Sequence, residues 1–132
     1  MTYQELVQTD DISETLPNKV NENFRKRSRL NVAPKTASFT VWTDDATGDP
    51  KDVYVCDSTS GAITVTLPDC TTGDAGSGRT VTIIKEGSSN NVVIDADGSQ
   101  TINGATTVTL STQYHFRTLV SDGTEWYVIA SN

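Results

Sequence analysis

The sequence predicts an all-β fold, a compact antiparallel sandwich or small barrel, preceded by an N-terminal helical arm. From Phe39 onward apolar and polar residues alternate, which is the pattern of half-buried strands. Tight-turn pairs such as Asn103-Gly104 and Asp122-Gly123 separate the alternating runs. Upstream the apolar residues recur at helical spacing instead. These observations divide the chain into an arm with its linker, residues 1–36, and a β-domain, residues 37–132.

The arm carries one narrow apolar stripe. Leu16, Val20 and Phe24 recur every four residues and would share one side of a helix. Pro17 suits the first helical turn. Basic residues gather toward the other end, where the helix dipole favours them: Arg25, Lys26, Arg27 and Arg29. A stripe this narrow fits a helix that lies on a neighbouring surface. Pro34 would then end the helix, and NVAPKTAS is predicted to be a linker.

The β-domain is predicted to contain a series of short strands. They cover residues 38–42, 52–56, 62–67, 79–85, 91–95, 106–111, 114–120 and 125–130. In 62–67, Ile63, Val65 and Leu67 share one face, whereas Thr64 and Thr66 share the other. One dry face and one threonine-rich face are typical of an antiparallel sheet that is wet or interfacial on one side.

Composition limits both the size of the core and the class of partner. The chain has 132 residues, enough for one modest domain, and 35% are hydrophobic. A core this thin favours association with copies of itself or with a partner. No apolar run reaches the roughly 20 residues of a membrane span, and the N-terminus MTYQELVQTDD does not resemble a secretory signal. We therefore expect no membrane insertion.

Charge is unevenly distributed along the chain. Residues 1–36 hold six basic and five acidic residues, whereas residues 37–132 hold four and twelve, so their net charges are +1 and −8. The acidic β-domain would repel phosphates, which argues against a nucleic-acid partner. The short run RKRSR is interpreted as a solvated helix face or as a contact with an acidic protein surface.

No catalytic arrangement, metal site or cofactor is predicted. The single histidine, His115, is expected to be an ordinary strand residue that faces solvent or an interface. DADGSQ at residues 95–100 lacks the further acidic ligands of a calcium loop and is predicted to be a turn. If strands 52–56 and 62–67 pair, Cys56 and Cys70 lie too far apart to bond, so free, partly buried thiols are expected. An intersubunit disulfide is an open alternative.

Four sequence features resemble a β-domain of tailed-bacteriophage virion proteins. They are Thr66-Leu67-Pro68, Gly78-Arg79-Thr80, Ile102-Asn103-Gly104 and the closing segment Ser121 to Tyr127, SDGTEWY. The resemblance covers about residues 52–131. The pattern Lys19-Val20-Asn21-Glu22-Asn23-Phe24 is similar to N-terminal helices of phage appendage and neck-region proteins. Tail fibres, spikes, head fibres and neck appendages share such domains.

The resemblance implies a structural virion protein that forms a homotrimer. It would be a short fibre, collar or capsid-decoration component that contacts capsid, neck or tail proteins. The docking residues would be Leu16, Val20, Phe24, Arg25 and Arg27. Because the chain ends at Asn132 directly after the β-domain, a long fibre with a large receptor-binding tip is not expected.

The alternative function is a module that binds glycans on the host surface. Its stacking platform would use aromatic side chains. The candidates are Trp42, Tyr114, Trp126 and Tyr127. In the competing interpretation Trp126 and Tyr127 merely alternate, one facing the core and one facing outward.

Overall fold

The computed structural model describes residues 29–42 and 50–132. This part of the chain is all-β and also contains one short 3-10 helix, Gly73–Ala75. Its strands are β1 (Val32–Lys35), β2 (Phe39–Thr40), β3 (Val53–Cys56), β4 (Ile63–Thr66), β5 (Thr80–Lys85), β6 (Val92–Asp95), β7 (Thr107–Leu110), β8 (Phe116–Ser121) and β9 (Trp126–Ser131). Residues Asn31–Asn132 form one compact unit. The predicted helical arm lies outside the described residues.

From β1 to β6, successive strands alternate between two sheets. One sheet has the strand order β1-β3-β5-β8-β9 and the other the order β2-β4-β6-β7. Strands β1, β3 and β5 are parallel to one another, as are β2, β4 and β6. The chain therefore winds through three coils, each of which adds one strand to each sheet, as in a short β-solenoid. Antiparallel strands then complete both sheets.

The predicted antiparallel sandwich or small barrel is therefore corrected. Both sheets are mixed, and the described strands do not close into a barrel. Strands β3 and β4, whose pairing was the condition of the distance argument for the two cysteines, lie in different sheets because the turn at Ser60-Gly61 crosses from one layer to the other. Alternation with a period of two is the same in parallel and antiparallel strands. The sequence pattern therefore locates strands without giving their pairing.

Strand β1 occupies residues that the sequence predicts to be a linker. It pairs with β3 in register from Val32↔Val53 to Lys35↔Cys56. The carbonyl of Lys35 accepts a 2.8 Å hydrogen bond from the N–H of Asp57. Pro34 is tolerated because β1 is an edge strand, where a missing N–H donor costs little. Each of the eight predicted strands overlaps one of the strands β2 to β9.

The core lies between the two sheets and is built from aligned apolar columns. Ile63, Val92 and Leu110 are paired across three neighbouring strands, and each is buried. Val65 and Ile94 form the adjacent column. Full burial of each such side chain contributes about 1.5–3 kcal/mol. Stacked coils thus give a continuous core although no single strand is long.

Two of the sequence features that carry the resemblance join the coils to one another. Leu67 is buried, and its N–H donates a 2.8 Å hydrogen bond to the carbonyl of Asp95. Gly78 has a φ of 90°, which favours glycine, and its N–H donates to the carbonyl of Ser121 at 2.7 Å. These features therefore serve the fold.

The Ile102-Asn103-Gly104 turn covers part of the free edge of β9. The N–H of Asn103 donates to the carbonyl of Trp126 at 3.0 Å, and the N–H of Val128 donates to Oδ1 of Asn103 at 3.1 Å. Asn103 and Gly104 both have positive φ, which explains their residue types. Covering an edge in this way blocks unwanted strand pairing. We infer that this motif protects the sheet.

Candidate interaction surface

Within its strands, the five-stranded sheet carries no charged side chain on its outer face. Inward positions are identified by burial: in β5, Val81, Ile83 and Lys85 are buried and alternate with outward residues. We call the outward side the apolar face. It comprises Val32, Pro34, Val53, Val55, Thr80, Thr82, Ile84, Phe116, Thr118, Val120, Tyr127 and Ala130.

Every charged residue of these five strands occupies an inward position. Lys35 and Lys85 align with Cys56, which is buried, and Arg117 aligns with buried Ile83. This distribution is the reverse of an ordinary solvated sheet, whose charged residues point outward. Of the three cationic side chains, Lys85 is fully buried, whereas Lys35 and Arg117 are half-buried.

Both inward-facing lysines contact polar or aromatic groups of the protein. Nζ of Lys85, in a side chain with no exposed surface, donates hydrogen bonds to the carbonyls of Gly87 and Ser89. Nζ of Lys35 lies 4.8 Å from the ring centroid of Phe39, a cation–π distance. Buried charge is tolerated only when it is paired with polar or π partners. These contacts explain why inward lysines are compatible with the fold.

The polar atoms at the middle of the apolar face bind one another. The hydroxyl oxygens of Thr82 on β5 and Thr118 on β8 are 2.8 Å apart, so one hydroxyl donates to the other. This is a cross-strand pair of the kind that stabilises sheets. Because the hydroxyls are partnered within the sheet, a protein that packs on this face can contact the methyl groups.

The rim of the apolar face exposes large apolar side chains. Val32 on β1 is 54% exposed, and Tyr127 on β9 is 43% exposed. Next to Tyr127 the strand contains a bulge, and Ile129 there is 58% exposed. These side chains lie on the two edge strands, and the outward residues of β3 and β8 between them are half-buried. Large apolar side chains exposed on a sheet face can mark an interaction site. We therefore treat the apolar face as the candidate functional surface.

The four-stranded sheet presents a different outer face. Its outward residues are Thr40, Thr64, Thr66, Val93, Asp95, Thr107 and Thr109. We call this the threonine face. Threonine-rich outward positions were expected from the sequence, and threonine predominates on the outer face of this sheet. The two outer faces therefore differ in chemistry, one apolar and one polar.

The apolar face was not predicted from the sequence, although the sequence of β3 and β5 contains a signal for it. The runs VYV in β3 and TIIK in β5 carry apolar residues at both alternating positions. Such runs are typical of strands buried on both faces. In β4, by contrast, buried Ile63 and Val65 alternate with threonine, as in a strand buried on one face.

The predicted docking residues lie outside the described part of the chain. They are Leu16, Val20, Phe24, Arg25 and Arg27.

Two predicted glycan-contact residues lie in the core. Trp126 has no exposed surface and Trp42 is 8% exposed, with 6.2 Å between their ring centroids. The guanidinium carbon of Arg79 lies 4.2 Å from the ring centroid of Trp42. Nε1 of Trp42 donates to the carbonyl of Lys51 at 2.8 Å. Both indoles are therefore committed to packing.

The other two predicted glycan-contact residues are exposed but far apart. Tyr114 is 64% exposed and precedes the start of β8, whereas Tyr127 aligns with Val120 near the end of β8. Four residues of strand between Phe116 and Val120 already span about 13 Å. Tyr114 and Tyr127 do not form one platform. The alternation of buried Trp126 with exposed Tyr127 is the competing interpretation given above.

The two cysteines are free and buried. Burial raises the pKa of Cys56 to about 12, and burial also raises the pKa of Cys70. The thiolate is the reactive form, so both thiols are protonated and unreactive at neutral pH.

His115 lies just before β8, and its backbone N–H donates to the carbonyl of Thr112 at 3.1 Å. DADGSQ forms a turn in which the N–H of Gln100 donates to the carbonyl of Asp97 at 2.8 Å.

Among the described residues, no cluster of three or more His, Cys, Asp or Glu side chains is placed to hold a metal ion. The same part of the chain contains no helix that is long and apolar enough to cross a membrane. The sequence matched no protein-family model and no curated protein.

Proposed function

We propose that this protein is a structural component of a tailed-bacteriophage particle. It would act as a short fibre, collar or capsid-decoration protein that assembles as a homotrimer. The arm at residues 1–36 would dock on the particle, and the β-domain would project outward. The observation that carries this proposal is the apolar face, because a sheet face without charge serves contact with another protein.

The proposal is also supported by the architecture. Stacked coils with a continuous core and a covered edge make a rigid unit. Rigidity suits an assembly part, whose function is to hold other parts at fixed positions. The sequence features that resemble phage virion domains support the choice of particle.

Two measurements test the proposal on the full chain. Native mass spectrometry at micromolar concentration should give three times the chain mass of 14.2 kDa. Antibody labelling of intact particles, viewed by electron microscopy, should place the protein at one structural location. A stable monomer would overturn the homotrimer, and unlabelled particles would overturn the assignment to the virion.

The docking role of the arm needs its own test. Phe24→Ala should reduce incorporation into particles, since burial of a phenylalanine contributes about 1.5–3 kcal/mol per chain and a homotrimer has three arms. The matched control is Tyr114→Ala, which removes an exposed aromatic ring from the β-domain and leaves both the arm and the apolar face intact. Normal incorporation of the Phe24→Ala protein would show that the β-domain carries the attachment surface.

A further inference from the structure

We infer that Asn103 is a site of spontaneous covalent modification, in which its side-chain amide is lost and the main chain can come to run through its β-carbon. The site is the tight turn at residues 102–105, where the N–H of Ala105 donates to the carbonyl of Ile102 at 3.0 Å. Asn103 and Gly104 are both exposed. The inference rests on the geometry of this turn and does not depend on the proposed function.

The attacking atom is the backbone nitrogen of Gly104. Glycine has no side chain that could block the approach of the amide carbon of the preceding asparagine. Among the backbone hydrogen bonds of the turns and loops that the structure describes, none uses the N–H of Gly104. This exposed N–H is therefore open to hydroxide from the solvent, which removes the proton and makes the nitrogen a nucleophile.

The electrophile is the side-chain carbonyl carbon, Cγ, of Asn103. The attached Oδ1 accepts a 3.1 Å hydrogen bond from the N–H of Val128 on β9. A donor at this oxygen stabilises the negative charge that develops there when the carbon is attacked, as the donors of an oxyanion hole do. The contact that covers the edge of β9 therefore also polarises the amide.

The reaction needs only water and hydroxide. Hydroxide removes the N–H proton of Gly104, the nitrogen bonds to Cγ of Asn103, and the side-chain amide leaves as ammonia with a proton from water, which regenerates hydroxide. Water then opens the cyclic imide at either carbonyl. Cleavage between the nitrogen and Cγ gives aspartate. Cleavage between the nitrogen and the original main-chain carbonyl gives isoaspartate, whose backbone runs through Cβ and Cγ.

Other turn residues of the β-domain are weaker candidates. Asp97 and Asp122 also precede glycine, but their carboxylates carry negative charge and are poor electrophiles. Asn90 precedes Asn91, whose side chain hinders attack by the backbone nitrogen. Nδ2 of Asn90 also donates a 2.9 Å hydrogen bond to the carbonyl of Ser58, which restrains the amide. Asn103 alone among these residues combines a neutral amide with a following glycine.

Isoaspartate at this position would uncover the edge of β9. In the unmodified turn, the N–H of Asn103 donates to the carbonyl of Trp126, and Oδ1 accepts from Val128. In isoaspartate, Cγ and its oxygen become part of the main chain, so these two contacts cannot both keep their geometry. An uncovered strand edge is a template for pairing with another chain. Modification would therefore make the β-domain more prone to aggregation with age.

Ageing of the full chain in mildly alkaline buffer tests the site. Trypsin releases a peptide from Glu86 to Arg117 that contains Asn90, Asp97 and Asn103. Fragmentation of this peptide by electron transfer compares the three positions directly and separates isoaspartate from aspartate. We expect Asn103 to be converted first and to give both products. Hydrogen–deuterium exchange at the N–H of Val128 should become faster as isoaspartate accumulates.

The matched control is Asn103→Gly, because Gly-Gly also suits a tight hairpin turn but offers no amide to attack. This variant lacks the acceptor for Val128 from the start, so its exchange in β9 should not change further on ageing. Retention of Asn103 in the folded chain would overturn the site, and conversion of the urea-denatured chain shows that the incubation was long enough. Earlier conversion of Asn90 or Asp97 would also overturn it. Conversion of Asn103 to isoaspartate without faster exchange in β9 would overturn the consequence for the strand edge.

Discussion

Thr82 and Thr118 place their hydroxyl oxygens 2.8 Å apart in the middle of the outer face of the five-stranded sheet. Val53 on β3 aligns with Thr82 in the same row across the strands, and Val120 lies in the next row. The pairing lowers the cost of burying the centre of the apolar face, because one hydroxyl donates to the other within the sheet.

The first prediction concerns this pair. If the proposed homotrimer buries the apolar face, Thr82→Val alone should weaken assembly, because the hydroxyl of Thr118 then loses its partner, which costs about 1–3 kcal/mol in a buried setting. The double variant Thr82→Val with Thr118→Val should assemble nearly as well as wild type, because both polar groups are gone. Dissociation measured by analytical ultracentrifugation checks the cycle. Equal weakening by the single and double variants would contradict it.

The second prediction concerns strand β1. A fragment of residues 31–132 should fold and assemble like the full chain, because it retains β1 (Val32–Lys35) and its pairing with β3. A fragment of residues 37–132 should have a lower melting temperature. It loses the backbone hydrogen bonds to β3, worth about 1 kcal/mol each, and bares the edge of that strand. Equal melting temperatures would show that β1 adds no stability.

Strand β1 also shows how far the sequence could predict the fold. All-β content and the approximate position of eight strands followed from alternation and turn residues. Strand β1 was missed because Pro34 resembles a helix breaker, yet an edge strand tolerates it. Parallel pairing was missed because the residues that align across coils, such as Val53 and Thr82, are 29 positions apart and leave no local signal.

The candidate site was predictable in part. Aromatic residues can be identified in a sequence, but burial of Trp42 and Trp126 depends on how distant segments meet. The apolar face was predictable in principle from apolar residues at both alternating positions of β3 and β5. That Lys85 points inward could not be predicted, because it depends on the nearby carbonyls of Gly87 and Ser89.

The third prediction concerns Lys85. Lys85→Ala should destabilise the β-domain by about 2–5 kcal/mol, because it leaves a cavity and deprives the carbonyls of Gly87 and Ser89 of their donor. Lys85→Met retains most of the volume and should cost less. Urea denaturation gives both free energies of unfolding. If the two variants were equally stable, packing volume at this position would not matter.

The last prediction concerns acid stability. The pKa of Asp122 is lowered from 3.8 because its carboxylate accepts hydrogen bonds from the N–H groups of Glu125 and Thr124, each at 2.8 Å. The pKa values of Asp69 and Asp57 are lowered in the same direction by hydrogen bonds from Thr71 and Thr59. Each carboxyl group therefore binds its proton less tightly in the folded protein than in the unfolded chain.

The sign of the effect follows from this difference. A lowered pKa in the folded state adds stability that is fully present above pH 3.8 and is lost as pH falls through the lower folded value. The melting temperature should therefore fall below about pH 4, near the ordinary pKa of aspartate. Asp122→Asn keeps an oxygen acceptor without the titration, so its melting temperature should fall less steeply there. Asp122→Ala removes the acceptor and should lower the melting temperature at neutral pH as well. An Asp122→Asn protein with the same acid profile as wild type would show that Asp122 does not contribute to acid unfolding.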